Sequence, residues 1–385
     1  SDNNKGEWRM RERIEGRTQS TVQAVCPNSG MTLRKHLIGQ RALRALGFTA
    51  ALLLPTGAVL AQDPQPIAEA PQAAIMSDLA SKTLLLDVVT AGDRLVAVGS
   101  RGHIVYSDDQ GESWTQAEVP VRQVLTSVYF VDEQNGWAVG HDSLVLHSTD
   151  AGQTWALQYR DPALDKPRDP EGPGLLERPL MDVWFRDTQT GFAVGAYGIF
   201  LRTDDGGATW VDRSDNVDNE YGMHYNAIAP VHNAGLFMVG EMGSMYHSSD
   251  YGDTWETLDS SPYDGTWFGV SGTGQTGQLL VWGLRGNLYR SANFGYTWEP
   301  VKFDGRAPQA TLLGGNLSAD GRLAIVGAGG VVLTSDDHGH TFAANTRADR
   351  VALATAKRLA DGHLLLVGQH GVVRASANGL KDAQQ

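Results

Sequence analysis

Residues 98–114 read VGSRGHIVYSDDQGESW, and this two-part element returns along the chain. The first part, V/W-G-x-x-G, recurs as VGHDS from Val139, VGAYG from Val194, VGEMG from Val239, WGLRG from Trp282, VGAGG from Val326 and VGQHG from Val367. Its leading glycines, Gly99, Gly140, Gly195, Gly240, Gly283, Gly327 and Gly368, stand 41 to 55 residues apart. The second part, S/T-x-D-x-G-x-T/S-W, follows at 107–114, 148–155, 203–210 and 248–255. A fifth copy at 291–298 has Asn293 for Asp, a sixth at 335–342 ends on Phe342, and a seventh from Ser376 has lost the aromatic. Each unit reads as four short strands, in the first LLLDVVT, RLVAVG, HIVYS and SWTQAEV. Four strands per period of this length, punctuated by glycine, predict an all-β fold: a seven-bladed β-propeller of four-stranded antiparallel blades over 83–385.

Within the second part each residue type has a structural task. The carboxylates of Asp109, Asp150, Asp205, Asp250 and Asp337, with Asn293 in the fifth copy, are placed to accept backbone N–H groups across a tight turn. The glycine supplies a positive φ at little steric cost. Trp114, Trp155, Trp210, Trp255, Trp298 and Phe342 are read as plugs between neighbouring blades, the tryptophans each burying roughly 150–250 Å². One such carboxylate per blade is scattered round a ring, which argues against metal ligation or acid catalysis by these groups.

The N-terminus and the charge of the 385-residue chain set further bounds. Read from Met31, a basic stretch (Arg34, Lys35, Arg41, Arg44) precedes a short apolar core and Val59-Leu60-Ala61 before Gln62. That pattern fits a secretory signal over 31–61, and its apolar run falls short of the ~20 residues a spanning helix needs. Residues 1–30 read as an upstream extension, expected to be disordered, and no transmembrane segment is expected after cleavage. The chain has one cysteine, Cys26, which leaves 62–385 free of any disulfide framework. The same 62–385 hold 22 basic and 40 acidic residues, a net charge of −18. That acidity argues against a nucleic-acid partner, because phosphate neutralisation needs clustered Lys and Arg. The final blade lacks residues for a fourth strand, so the 62–82 segment is expected to supply a ring-closing strand.

If the G-x-x-G turns and the blade connections share one end of the ring, they gather Arg101, His141, Tyr197, Arg285 and His370 with Arg122, Arg178, Arg306, Arg347 and Arg350. Seven of the 17 arginines of 62–385 then lie on one face. Guanidinium groups suit bidentate recognition of an anionic partner. The long insertion at 156–181, with five prolines, is expected near the same face. Enzyme signatures are weak: the H-x-H of His338 and His340 is a poor metal signal alone, and no phosphate loop or nucleophile triad is present.

The second element resembles the Asp-box, or BNR repeat, also found in sialidases, so a carbohydrate-active enzyme is the rival reading. A sialidase would need an F-R-I-P segment, which is absent; Arg178-Pro179 lacks the preceding aromatic. The combination with DEQNGWAVG (132–140) and DTQTGFAVG (187–195) is more specific, and resembles the photosystem II stability/assembly factor family over 83–376. The resemblance implies a non-catalytic, exported scaffold without metal or cofactor, sited in a periplasm or thylakoid lumen. It also implies a monomer that holds a membrane-protein complex, or its extracytoplasmic segments, through an arginine-rich face. Relatives with this pattern also occur in non-photosynthetic bacteria, so the client is left open.

Overall fold

The computed structural model describes residues 71–166 and 177–381. The expectations for 1–30, 31–61 and 62–70 lie outside the described residues, as does the middle of the 156–181 insertion. The described chain forms seven sheets of consecutive antiparallel strands. The innermost strands are Leu85–Ala91, Leu125–Phe130, Leu180–Phe185, Tyr225–Val231, Trp267–Gly272, Leu312–Leu317 and Leu353–Arg358. Each packs on the innermost strand of the next blade, and the last packs on the first, so the blades close a circle.

The second strand of each blade is an apolar run buried throughout, such as Gly136–Gly140 and Leu364–Gly368, with half-buried Arg94 at the start of that in blade 1 the exception. It lies between two neighbouring blades and has no face left for solvent, hence no alternation. The core accordingly divides into seven clusters, one at each blade-to-blade interface including that between blades 7 and 1. Some interface aromatics meet edge-on, as Trp255 of blade 4 does on Phe200 of blade 3 (centroids 5.5 Å apart, 77°), and others stack, as Trp137 of blade 2 does on Phe185 of blade 3.

Two devices repeat in every blade. A β-bulge follows the first residue of each innermost strand, at Leu85/Asp87 and its six counterparts. Opposite it sits the leading glycine of G-x-x-G. A Cβ on Gly99 would lie 2.3 Å from the Leu84 carbonyl oxygen, and one on Gly140 2.0 Å from that of Val124. No side chain fits there, which is why this glycine recurs seven times.

Two blades depart from four antiparallel strands. Blade 6 gains a fifth, Lys302–Asp304, pairing parallel to its outer strand Thr341–Thr346. Blade 7 has three strands among the described residues. Ala74 and Ser77 bond to Val119 and Gln116 on the outer side of blade 1. The Ala80–Lys82 turn then brings the Ser81 carbonyl to within 1.9 Å of where a Cβ on Gly371 would be.

Candidate binding face

Alternating strand direction separates the ring into two ends with different chemistry. The S-x-D-x-G-x-T-W turns and the first hairpins emerge at one end; the G-x-x-G turns and blade connections emerge at the other. Backbone bonds confirm the second grouping, for Ser100 N–H donates to Leu84 O and His141 N–H to Val124 O, each at 2.9 Å.

At the first end each aspartate at the third position of the S-x-D-x-G-x-T-W element is engaged inside its own turn. Ser107 Oγ donates to Asp109 Oδ1 and accepts from Gly111 N–H, both at 2.8 Å. Asp109 accepts the Ser113 N–H at 2.9 Å and the Ser113 hydroxyl at 2.5 Å. Hydrogen bonds from Ser113, then from Ser107, hold the Asp109 carboxyl down to about 2. The pattern repeats at Asp150, Asp205, Asp250 and Asp337, and at Asn293 with one oxygen doing both tasks. Even the shortened seventh copy keeps a Ser376 to Asn378 bond of 2.6 Å. His338 and His340 diverge: the first bonds to Thr273 O at 2.9 Å, the second meets Arg290.

The other end carries the candidate residues, and the ring sorts them by charge. Arg101, Asp142, Tyr197, Met242 and Arg285 occupy equivalent positions of successive turns with φ between 52° and 60°. Their side chains therefore mark five points round one rim. Arg285, Arg306, Arg350, His370, Arg101 and Arg122, all exposed, follow one another from blade 5 through blades 6, 7 and 1 to the connection with blade 2. Arg101, Arg285, Arg306 and Arg350 have no side-chain hydrogen bond or ion pair among the described residues, while Arg122 donates to Ala73 O at 2.8 Å. The opposite arc, blades 2 to 4, is acidic, with aromatic and apolar side chains among the acids: Asp142, Glu177, Asp215, Asp218, Glu220 and Glu241 with Tyr197, Tyr221 and Met242.

Three candidates are tied into the fold. Arg347 is buried, ion-paired with Asp349 at 2.7 Å and bonded to Gly379 O at 3.0 Å. Arg178 pairs with Asp161 at 3.1 Å, and its carbonyl accepts the buried Ser143 hydroxyl at 2.5 Å. His141 pairs with Glu177 at 2.6 Å. The sequence reading overlooked a third group, in the central channel. Ser127 Oγ bonds to Asp87 Oδ2 at 3.2 Å and Asp182 Oδ1 at 2.7 Å. Val128 N–H donates to Asp87 and Ile228 N–H to Asp182, each at 2.9 Å, so each carboxylate reaches the next blade. Enclosure between strands raises both pKa values, that of Asp182 to about 7 against its hydrogen bonds, with the Asp87 charge adding to the rise.

With this geometry in place, the chain can be set beside known proteins. The model of the family described as photosynthesis system II assembly factor YCF48 matches residues 59–170 and 175–307, more than half of the chain. The chain belongs to that family. The YCF48-family lipoprotein of Synechococcus sp. (strain CC9902), named photosystem II assembly lipoprotein Ycf48, is 37% identical over 78 residues, 20% of this chain and 23% of its own. The chloroplastic photosystem II stability/assembly factor HCF136 of Oryza sativa subsp. japonica is 29% identical over 117 residues, 29% of this chain and 27% of its own. The matches thus span about a quarter of those relatives. A solved structure described as YCF48 bound to D1 peptide superposes with a TM-score of 0.56 at 18% identity. It covers 81% of this chain and 97% of that one, which shows a shared fold.

Proposed function

We propose that this chain is an exported, non-catalytic scaffold that assists the assembly or function of a membrane-protein complex, holding an anionic extracytoplasmic segment of its client. The arc of exposed arginines, four of them without a side-chain partner among the described residues, in a protein otherwise strongly acidic, carries this reading. Family membership supports it: relatives are named photosystem II assembly factors, and one solved relative holds a peptide. Among the described residues no helix is long and apolar enough to cross a membrane, in keeping with a client that contributes the membrane part. The test is capture of membrane proteins from detergent extracts, comparing the wild-type chain with Arg101→Glu/Arg285→Glu. The double reversal, at exposed positions, is expected to lose the captured partner while melting unchanged. Retention of the partner overturns the arginine arc.

A second reading rests on Asp87 and Asp182, two carboxylates facing one hydroxyl in the channel, as a hydrolase of glycosides would use. Every one of their oxygens already accepts a hydrogen bond, which favours the scaffold. Turnover of a sialoside or β-glucan that disappears with Asp182→Asn would establish this alternative.

A further inference from the structure

The acidic arc contains a cavity of about 540 Å³ between the blade 3 turn and the connection to blade 4. Tyr197 and Trp255 form aromatic walls, and Asp215, Asp218 and Glu220 bring carboxylates to its lining. Those three acids are exposed and make no side-chain hydrogen bond or ion pair among the described residues. Some acids elsewhere on the chain have partners: Asp108 pairs with Arg94 at 2.7 Å, and Asp204 and Asp253 both pair with Arg202. The one basic residue of this connection, Arg213, lines a separate cavity together with Arg202. His224 is held against the Tyr197 ring (4.6 Å, 71°) and faces Glu241 at 3.5 Å.

The lining is fixed before anything binds. Asn219 bonds to Met223 through both its amide nitrogen and its oxygen, each at 2.9 Å. The Asp218 carbonyl accepts the Thr257 hydroxyl at 3.1 Å, and Asp212 holds Ser214. Ordering cost on binding is correspondingly small.

We infer that this cavity is a pocket for an arginine or lysine side chain of a partner polypeptide. Aromatic faces attract a cation through the ring quadrupole. Unpaired carboxylates beside them accept its N–H groups, twice over for a guanidinium. The pocket stands apart from the arginine arc, on the far side of the same rim. A partner carrying an acidic stretch and a basic residue would therefore be oriented as well as held.

The test uses the full chain titrated with Gly-Arg-Gly amide and Gly-citrulline-Gly amide, nearly isosteric but differing in charge, followed by calorimetry and tryptophan fluorescence. The arginine peptide is expected to bind at least tenfold tighter than the citrulline peptide. Asp218→Asn/Glu220→Gln and, separately, Tyr197→Leu are each expected to weaken it tenfold or more with melting unchanged. Arg285→Glu should leave it unaffected, which separates this pocket from the arginine-arc reading. Equal affinity for the two peptides, no measurable binding at millimolar peptide, or binding indifferent to both variants overturns the pocket.

Discussion

The innermost strands of blades 1 to 3 and those of blades 5 and 6 solve one problem by opposite means. The third residue of each strand, just past the bulge, faces the next blade across the channel wall. In blades 1 to 3 it is Asp87, Ser127 and Asp182, whose side chains carry hydrogen bonds across the gap. In blades 5 and 6 it is Gly269 and Gly314: the blade's own Trp282 fills the space beside the first, and the next blade's backbone moves in on the second. The Trp282 ring lies 2.2 Å from where a Cβ on Gly269 would be, and the Ala354 carbonyl oxygen 2.1 Å from one on Gly314. At this position blades 1 to 3 are fastened to their neighbours by polar side chains, and blade 6 meets blade 7 by close backbone approach. The lesson is that a sevenfold repeat of backbone geometry does not impose a sevenfold repeat of interface chemistry.

The largest break in that contrast is expected from Gly314→Val. The new side chain has no space against Ala354, and overpacking should cost ~2–4 kcal/mol, read as a lower denaturant midpoint. Asp87→Ala attacks the polar half by leaving the Val128 N–H short of its acceptor, while the Ser127 hydroxyl keeps Asp182. A loss of ~1–3 kcal/mol is expected, and an unchanged midpoint would mean that the carboxylate is not a fastener.

The polar half should also respond to pH. Asp182 binds its proton at about 7 in the folded chain and at the ordinary 3.8 when unfolded. Between these values the folded state holds a proton that the unfolded state lacks. Stability contributed at this site therefore rises as pH falls through 7 and levels off near 4. Melting temperatures at pH 8, 6 and 5 should show that slope, and Asp182→Asn should flatten it. The smallest effect belongs to the glycine half, where the blade 5 turn uses Asn293. Its single oxygen accepts both the Thr297 N–H (2.9 Å) and the Thr297 hydroxyl (3.2 Å). Asn293→Asp restores a second acceptor and should raise stability by ~0.5 kcal/mol, in line with the net worth of one hydrogen bond.

Much of the ring was legible because its determinants are local. The V-G-x-x-G element marks a glycine opposite a bulge, and S-x-D-x-G-x-T-W closes a turn on its own backbone, so both can be read within a few residues. Other features left no local sign. Gln110, Ala151, Tyr251, Phe294 and His338 share the left-handed conformation just before the turn glycine, although their side chains have nothing in common. Asp87 sat unnoticed in an apolar run, because its partners Ser127 and Val128 lie about 40 residues away in the next blade. Of the ten residues gathered on the candidate face, nothing nearby in sequence distinguishes buried Arg347 from exposed Arg350; the distinction comes from Asp349 and the distant Gly379 carbonyl.

The sequence by itself determined the number of blades, the chemistry of their turns and the excess of acid over base, since each depends on spacing or composition. Only the tertiary structure decided that the arginines fall on one arc of the rim and the free carboxylates on the other. It alone also decided which interfaces are bonded and which merely touch. A propeller brings every residue of a blade against residues one period away, and a one-dimensional pattern does not say which side chain will meet which.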